Sequence, residues 1–213
     1  MTISDAFDAS SVFDGDGALR RPLKVVGVSG SLHEPSKTTV LVESIIEAVG
    51  RRTAIDAEVI TLTKLGPSLG GALQRDHLPA EVEEALLAIE SADLLIAASP
   101  VYRASFTGLF KHLFDFVDQY ALVGQPVLLA ATGGGERHAL ILEHQLRPLF
   151  GFFQALTLPI GVYASSSDFA NDFANDGVTS PEVSRRVVQA VDRSLPLVEH
   201  ATLVRRSEYV TTW

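Results

Sequence analysis

Short, continuously apolar runs alternate along the chain with segments of helical periodicity. An apolar run without polar alternation is typical of a strand that is covered on both faces of a sheet. The pattern therefore predicts five buried strands, which are Leu23–Ser29, Ala57–Leu62, Asp93–Ser99, Pro126–Thr132 and the LPIGVY segment at 158–163.

Segments whose apolar residues recur every three or four positions lie between these strands and after the last one. They predict amphipathic helices. The predicted helices are Thr39–Gly50, one that begins at Pro79 and runs through Ile89, Leu109–Val117, Leu140–Phe153 and a closing helix over Pro181–Leu195. The stretch from Lys64 to Pro79 is rich in glycine and proline, and it predicts a long loop.

Regular alternation of bare apolar strands and helices indicates an α/β fold, in which a doubly wound parallel sheet has right-handed crossovers. Five strands fit the flavodoxin-like order 2-1-3-4-5 better than the order of a six-stranded dinucleotide fold. We expect one such domain over residues 23–195. A mobile N-terminal arm over residues 1–22 and a C-terminal tail over residues 196–213 would flank it.

Composition narrows the possible functions. The 213 residues, 46% of them hydrophobic, are enough for one sizeable core. A net charge of −9 argues against a nucleic-acid partner, and the lack of cysteine excludes disulfides, thiolate metal sites and a cysteine nucleophile. The six histidines have no metal-ligand spacing. Without a signal-peptide pattern or a run of about 20 apolar residues, we expect a cytoplasmic protein with no membrane partner.

Three predicted loops should meet at one edge of this sheet. In open α/β sheets, ligands lie beyond the carboxyl ends of the strands, at the switch point between the first and third strands. The loops that leave the first, third and fourth strands read GSLHEPSKTT, SPVYRASFTG and TGGGERH. Together they could enclose one flat, phosphorylated ligand.

The first loop is rich in hydrogen-bond donors and lies directly before a helix, where backbone N–H groups and the helix dipole favour an anion. Helix N-capping would account for one hydroxyl, and the loop has more than that. The loop matches neither the P-loop nor the GxGxxG pattern. We therefore predict a phosphate site whose candidate residues are Ser29, Ser31, Ser36, Lys37, Thr38 and Thr39.

The other two loops offer less specific signals. In the second, Pro100 fixes the turn and would display Tyr102 and Arg103 above the sheet edge, although a simple surface turn is an alternative. In the third, Gly133–Gly135 leave a path along which a planar ring could lie against the backbone. A flexible turn is the alternative there.

With these segments in view, the chain resembles the NAD(P)H-dependent FMN reductase family of flavodoxin-like fold. Within that family it is most similar to the reductase components of two-component alkanesulfonate and methanesulfonate monooxygenases. The segment GSLHEPSKT matches the family's GSxRxxSxN phosphate loop. The segments SPVYRASFTGLFKHLFD and LLAATGGGERHALILEHQLRPLFGFF match the subfamily's two flavin-side regions. The similarity runs from about Leu23 to Phe169.

The resemblance assigns three groups of FMN-binding residues. The phosphate positions are Ser31, His33, Ser36 and Thr38. The positions along the isoalloxazine are Pro100, Val101, Tyr102 and Arg103. The positions at the pyrimidine edge are Thr132, Gly133, Gly134 and Gly135. His33 and Thr38 replace the arginine and asparagine of many relatives, which implies a weaker hold on the phosphate and a flavin that is released as product.

The resemblance also implies a function and an assembly. The expected reaction is hydride transfer from NAD(P)H to FMN, which needs no catalytic side chain. The expected partner is an FMNH2-dependent monooxygenase in sulfonate metabolism. A π-bulge is implied at Glu143 and His144, at the interface of a tetramer. Apolar segments in the second half of the chain independently suggest at least a dimer.

Three alternatives stay open on the sequence. A quinone or azo reductase with tightly held FMN would use the same loops. A flavodoxin-like electron carrier would have a different phosphate loop, of the type T/S-x-T-G-x-T, which is not present here. A ligand-free scaffold would leave the hydroxyl-rich loop unexplained.

Overall fold

A parallel sheet in the order β2-β1-β3-β4-β5, with β6 also paired to β4, organises this computed structural model. The structure describes residues 21–172, 177–178 and 180–206. The flavodoxin-like strand order is therefore confirmed. The strands are β1 (Leu23–Ser29), β2 (Ile55–Thr61), β3 (Leu94–Pro100), β4 (Pro126–Gly133), β5 (Leu156–Thr157) and β6 (Val162–Ser165).

Helices cover both faces of the sheet. The first and last helices pack on one face, against Val25 and Ile96, and the other four pack on the opposite face, against Val26 and Leu95. Strand residues alternate between the two cores, as the absence of a polar face in the sequence predicts. The helices are α1 (Lys37–Gly50), α2 (Leu62–Leu69), α3 (Ala80–Glu90), α4 (Gly108–Asp115), α5 (Arg147–Phe152) and α6 (Pro181–Arg206).

Close packing of α1 on β1 brings the start of α1 to the carboxyl edge of the sheet. Gly27 lies between Val59 and Ile96 in the sheet, and a Cβ there would clash with Val42 of α1. Gly30 is equally confined, because a Cβ would lie 2.8 Å from Phe110 Cδ2. Both glycines are therefore explained by packing.

The predicted fifth strand is two short strands. β5 and β6 both pair in parallel with β4, and the residues between them leave the ladder. Pro159 lies in this gap. Proline has no N–H to donate to a ladder, so it interrupts what would otherwise be one strand.

The predicted loop from Lys64 to Pro79 is partly helical. α2 begins at Leu62 and contains Gly66 and Pro67, the residues that suggested a break. Burial of Leu62, Leu65 and Leu69 against the core holds the helix together despite these residues. Tertiary packing overrides local propensity here.

The closing helix is longer than predicted. It continues beyond Leu195, through Pro196, to Arg206, so residues 196–206 of the expected tail are helical. Residues 207–213 of that tail and residues 1–20 of the expected N-terminal arm lie outside the described residues. None of the helices in the described ranges is long and apolar enough to cross a membrane.

The predicted helix Leu140–Phe153 contains a π-helical turn. Leu142–Leu146 is π-helical and leads directly into α5. This confirms the bulge at Glu143 and His144 that the family resemblance implies. Pro148 follows the turn, and in a regular α-helix its ring would clash with the carbonyl group four residues earlier, that of His144. A wider turn accommodates this proline.

Candidate functional site

Hydrogen bonds join the three predicted loops at the carboxyl edge of the sheet. The Gly30 N–H donates to the carbonyl oxygen of Ala98 at 2.7 Å, and Thr107 Oγ1 donates to the carbonyl oxygen of Gly30 at 2.8 Å. The Val101 N–H donates to the carbonyl oxygen of Thr132 at 2.8 Å. The structure therefore confirms that the loops after β1, β3 and β4 meet.

Several hydroxyls of the first loop brace the loop itself. The Ser29 and Thr39 hydroxyl oxygens lie 2.8 Å apart, with Ser29 fully buried. Ser36 caps α1 by accepting the Thr39 N–H at 3.1 Å, and Ser31 Oγ donates to the carbonyl oxygen of His33 at 3.0 Å. N-capping and bracing thus explain more of these hydroxyls than the sequence indicates. The Ser29–Thr39 pair uses only one of its two hydroxyl protons, and Ser36 uses its oxygen as an acceptor, so hydroxyl donors remain in this loop.

Thr38 connects the first loop to the third. Its Oγ1 lies 2.6 Å from Thr132 Oγ1, and both side chains are almost completely buried. One of the two hydroxyls donates to the other, and the second proton remains available to a neighbouring acceptor. The backbone N–H of Thr38, in the first turn of α1, has no partner in the described part of the chain. It is an orphan donor of the kind that anions accept from.

The two basic candidates of the first loop are Lys37 and His33. Lys37 Nζ donates to the carbonyl oxygen of Ser166 at 3.2 Å and lies 5.7 Å from the ring centre of Phe169. Lys37 therefore bridges α1 to the turn after β6. His33 is exposed at the tip of the loop.

The second loop makes a tight turn beside Pro100. Backbone bonds in both directions between Tyr102 and Ser105, of 2.8 and 3.0 Å, close a two-residue turn. Its central residues, Arg103 and Ala104, have φ angles of 49° and 68°. This left-handed conformation is unfavourable for residues with a Cβ. The turn holds the exposed side chains of Tyr102 and Arg103 above the sheet edge.

The π-helical turn contacts this second loop. Ser105 Oγ donates to Gln145 Oε1 at 3.0 Å. An extra residue in a helix rotates every following side chain, so a regular α-helix would direct Gln145 elsewhere. The wide turn therefore helps to fix the turn that presents Tyr102.

The third loop is open at two of its three glycines. A Cβ on Gly134 or Gly135 would meet no atom within 4 Å, whereas a Cβ on Gly133 would clash with Tyr163. None of the three has a positive φ. Neither packing nor backbone conformation therefore requires glycine at 134 and 135. The missing side chains leave room next to the backbone.

Two residues that the sequence-based prediction omitted support the site. Thr107 is buried, caps α4 and bonds to Gly30, and its position before an apolar helix is a signal that N-cap rules can recognise. Tyr163 Oη donates to the carbonyl oxygen of Gly135 at 2.6 Å. Nothing in its strand-like sequence indicates this role. Burial, followed by the charge of Glu136, raises the pKa of Tyr163, so its hydroxyl remains a donor at neutral pH.

Two cavities lie beside these loops. Within the described ranges, no group of three or more His, Cys, Asp or Glu side chains could hold a metal ion. A cavity of about 560 Å³ lies next to the third loop, between Glu136, Tyr163 and α6. A smaller one of about 320 Å³ lies between the first loop and β2.

Comparison with known proteins identifies the family of this chain. The sequence profile of the NADPH-dependent FMN reductase family matches residues 23–170. An FMN reductase (NADPH) of Pseudomonas aeruginosa is 54% identical over 176 residues, which cover 83% of this chain and 92% of the relative. An NADH-dependent FMN reductase, SfnF, of Pseudomonas fluorescens is 54% identical over 179 residues, or 84% and 94% of the two chains.

Solved structures give the same result for the fold. An oxidoreductase from Corynebacterium diphtheriae superposes with a TM-score of 0.71 at 35% identity, covering 88% of this chain and all of the other. The apo form of an NADH:FMN oxidoreductase, EmoB, superposes with a TM-score of 0.68 at 32% identity, covering 79% and 86%.

Proposed function

This chain belongs to the NADPH-dependent FMN reductase family and is an oxidoreductase that uses FMN and NAD(P)H, and we propose that it releases its reduced flavin to a separate monooxygenase. The proposed acceptor is an FMNH2-dependent enzyme that acts on a sulfonate. Similarity of the two flavin-side segments to reductase components of such systems supports this part of the proposal.

The observation that carries the proposed binding mode is the open backbone at Gly134 and Gly135. Glycine occupies both positions although neither φ nor packing demands it. A flat ring lying against that backbone would explain the absence of side chains, and backbone N–H groups could then bond to its polar edge. We place the isoalloxazine between this loop and the Pro100–Arg103 segment, with the phosphate at the start of α1.

The phosphate end of the site would rely mainly on neutral donors. These are the remaining hydroxyl protons of Ser36 and of the Thr38–Thr132 pair, together with the Thr38 N–H. Lys37, the one lysine or arginine of the loop, is directed at Ser166. Hydrogen bonds from these donors to the charged phosphate are charge-assisted, but they lack the charge–charge attraction that a lysine or arginine aimed at the phosphate would add. A moderate affinity suits a flavin that must leave after each turnover.

When bound, FMN accepts a hydride from the nicotinamide, and this chemistry requires two rings stacked about 3–3.5 Å apart. The residues of this chain hold and orient the rings. The Tyr102–Ser105 turn, braced by Gln145, would border the face on which the nicotinamide stacks. Because NAD(P)H is available in the cytoplasm, we expect the reaction to take place there.

We also propose that the protein works as a homo-oligomer, a dimer or a tetramer. The structure buries most of the aromatic residues that suggested an interface, including Phe110, Phe114 and Phe150, inside one protomer. Leu140 and Phe152 remain more than half exposed on the segment that contains the π-helical turn. These two side chains support an interface there.

Anaerobic turnover tests the reaction. Purified protein is mixed with NADH or NADPH and an excess of FMN, and the loss of nicotinamide and flavin absorbance is followed. Turnover with either nucleotide is expected. No turnover with both would contradict the assignment.

Dialysis tests whether the protein releases FMN, and an assay coupled to a monooxygenase tests whether the reduced flavin is passed on. Protein that loses its yellow colour on dialysis supports release of FMN, and protein that remains yellow favours the quinone or azo reductase alternative. In a coupled assay, an FMNH2-dependent sulfonate monooxygenase is expected to form product only when this reductase and NAD(P)H are present.

A further inference from the structure

Tyr163 lies next to the loop that leaves β4, and its hydroxyl reaches the backbone of that loop. In the sheet, Tyr163 of β6 pairs with Ala131 of β4, two residues before Gly133. Its Oη donates a 2.6 Å hydrogen bond to the carbonyl oxygen of Gly135, and the side chain is about nine-tenths buried. The strand thus connects the sheet to the glycine loop.

This hydrogen bond helps to fix the direction of one peptide group. Gly135 is extended, with φ −178° and ψ 169°, and its carbonyl oxygen also accepts the His138 N–H at 3.3 Å. Because a trans peptide is planar, the Glu136 N–H points opposite to the Gly135 carbonyl and away from Tyr163. That N–H has no hydrogen-bond partner among the residues that the structure describes.

The glycines show the same division of the loop into an anchored and an open part. A Cβ on Gly133 would clash with Tyr163 Oη and lie 3.3 Å from Cζ of the same ring. A Cβ added at Gly134 or Gly135 would meet no atom within 4 Å. Tyr163 therefore packs against the first glycine, and the space beside the next two is empty.

We propose that Tyr163 is a positioning residue for the flavin, which orients the Gly135–Glu136 peptide so that the Glu136 N–H faces the polar pyrimidine edge of FMN. Tyr163 acts through Gly135 and does not contact the flavin itself. The inference rests on the flavin site proposed above, and it adds a residue from β6, outside the three loops, to that site.

The alternative is that Tyr163 only packs the protein, since it also lines the cavity of about 560 Å³ beside the third loop. Packing alone would affect stability and leave the bound flavin unchanged. A positioning role must alter the environment of the flavin ring. The visible absorption of FMN, which responds to hydrogen bonds at the ring, separates the two roles.

The test compares Tyr163→Phe with Tyr120→Phe, the same change at an exposed tyrosine outside the three loops. Loss of one hydrogen bond is expected to raise the Kd and KM for FMN roughly two- to tenfold. The kcat should stay within about twofold, and the FMN-binding difference spectrum should shift. Tyr120→Phe should match the wild type. Wild-type affinity and an unshifted spectrum in Tyr163→Phe would overturn the inference.

A second variant pair tests the contact with Gly133. Gly133→Ala should weaken FMN binding, because its Cβ displaces the loop from Tyr163 Oη. Adding Tyr163→Phe removes that clash and should restore part of the lost affinity. A double variant weaker than Gly133→Ala would contradict the proposal. If wild-type protein binds no FMN at all, the proposed function fails, whereas normal wild-type binding with unaffected variants refutes the role of Tyr163 alone.

Discussion

Thr38 and Thr132 are ninety-four residues apart in the chain, yet their hydroxyl oxygens lie 2.6 Å apart in a buried position. This pair joins the start of α1, which is proposed to hold the phosphate, to the end of β4, which leads into the glycine loop proposed to border the isoalloxazine. Thr38 and Thr132 were both predicted as ligand-contacting residues. The structure shows that they contact each other.

Replacing one member of this pair should destabilise the fold. Thr38→Val leaves the Thr132 hydroxyl buried without its partner and should lower the free energy of unfolding by about 1–3 kcal/mol. The double change Thr38→Val with Thr132→Val should cost less than the sum of the single changes, because no orphan hydroxyl remains. Urea denaturation of the four proteins measures the coupling.

Thr202 provides the matched control, because its buried Oγ1 has no hydrogen-bond partner among the residues that the structure describes. Thr202→Val removes a buried hydroxyl that makes no hydrogen bond, so it should leave the free energy of unfolding unchanged or raise it. Strictly additive losses at Thr38 and Thr132 would show that the hydroxyl pair contributes nothing.

Gly134→Ala should separate binding from stability. The added methyl group meets no protein atom within 4 Å, so the denaturation midpoint should not fall. It would occupy the space proposed for the flavin ring, and overpacking of that kind should weaken FMN binding about tenfold. Gly71→Ala, at another open glycine away from the three loops, is the control for calorimetric titration. If Gly134→Ala and Gly71→Ala bound FMN equally well, the isoalloxazine ring could not lie against Gly134.

Arg75 should affect stability without affecting catalysis. Its guanidinium bonds to Glu83 and Glu90 and to the carbonyl oxygen of Phe116. Glu90 and Phe116 end the helices that precede β3 and β4, so this cluster lies towards the amino edge of the sheet, opposite the three loops. The side chains are only partly buried, with Arg75 30% exposed. Arg75→Met should therefore cost about 1–2 kcal/mol of unfolding free energy, less than a fully buried pair would. The kcat and KM values should be unchanged, and a large loss of activity would contradict this separation.

The same ion pairs should make the effect of Arg75→Met depend on pH. Hydrogen bonding to Arg75 holds the pKa of the Glu83 carboxyl below its ordinary value of 4.5. The resulting stabilisation is complete above about pH 4.5, and it is lost as the pH falls through the lower pKa of the folded state. The stability difference between wild type and variant, measured by urea denaturation, should therefore narrow below pH 4.5. A stability difference that stays constant from neutral pH to below pH 4.5 would show that the hydrogen bond between Arg75 and ionised Glu83 contributes nothing.

Ala104→Gly should relieve backbone strain in the second loop. Ala104 has a φ of 68°, a conformation that costs a residue with a Cβ about 1–2 kcal/mol relative to glycine. The greater freedom of glycine in the unfolded chain offsets part of this. We expect thermal unfolding to show a gain of up to about 1 kcal/mol. Ala57→Gly, in the exposed part of β2, should instead lower the free energy of unfolding. If both changes raised this free energy, or both lowered it, the account of strain at Ala104 would be contradicted.

The sequence predicts the sheet better than it predicts the site. Packing of helices on both faces of the sheet requires apolar runs that alternate with helical periodicity, and this alternation predicts a parallel sheet. The number of strands then favours the observed order. The failures occur where a proline and its neighbours favour different structures. Pro159 divides a strand that its apolar flanks suggest is continuous, and buried Leu65 and Leu69 hold a helix around Pro67.

The site is harder because its contacts join residues distant in the chain. Sequence patterns indicate that the hydroxyls of the first loop are numerous, but not that Ser29 pairs with Thr39 or Thr38 with Thr132. Tyr163 reads as an ordinary strand residue, and its bond to Gly135 depends on the pairing of β6 with β4. Such contacts become visible only when the strands are placed side by side.

The central claim is that the loop after β1 and the start of α1 hold the phosphate of FMN. Calorimetric titration of the wild-type protein with FMN and with riboflavin, which lacks only that phosphate, tests it directly. Hydrogen bonds to a charged group contribute about 1.5–3 kcal/mol each, so FMN should bind at least about tenfold more tightly than riboflavin. Equal affinities for the two flavins would contradict the account.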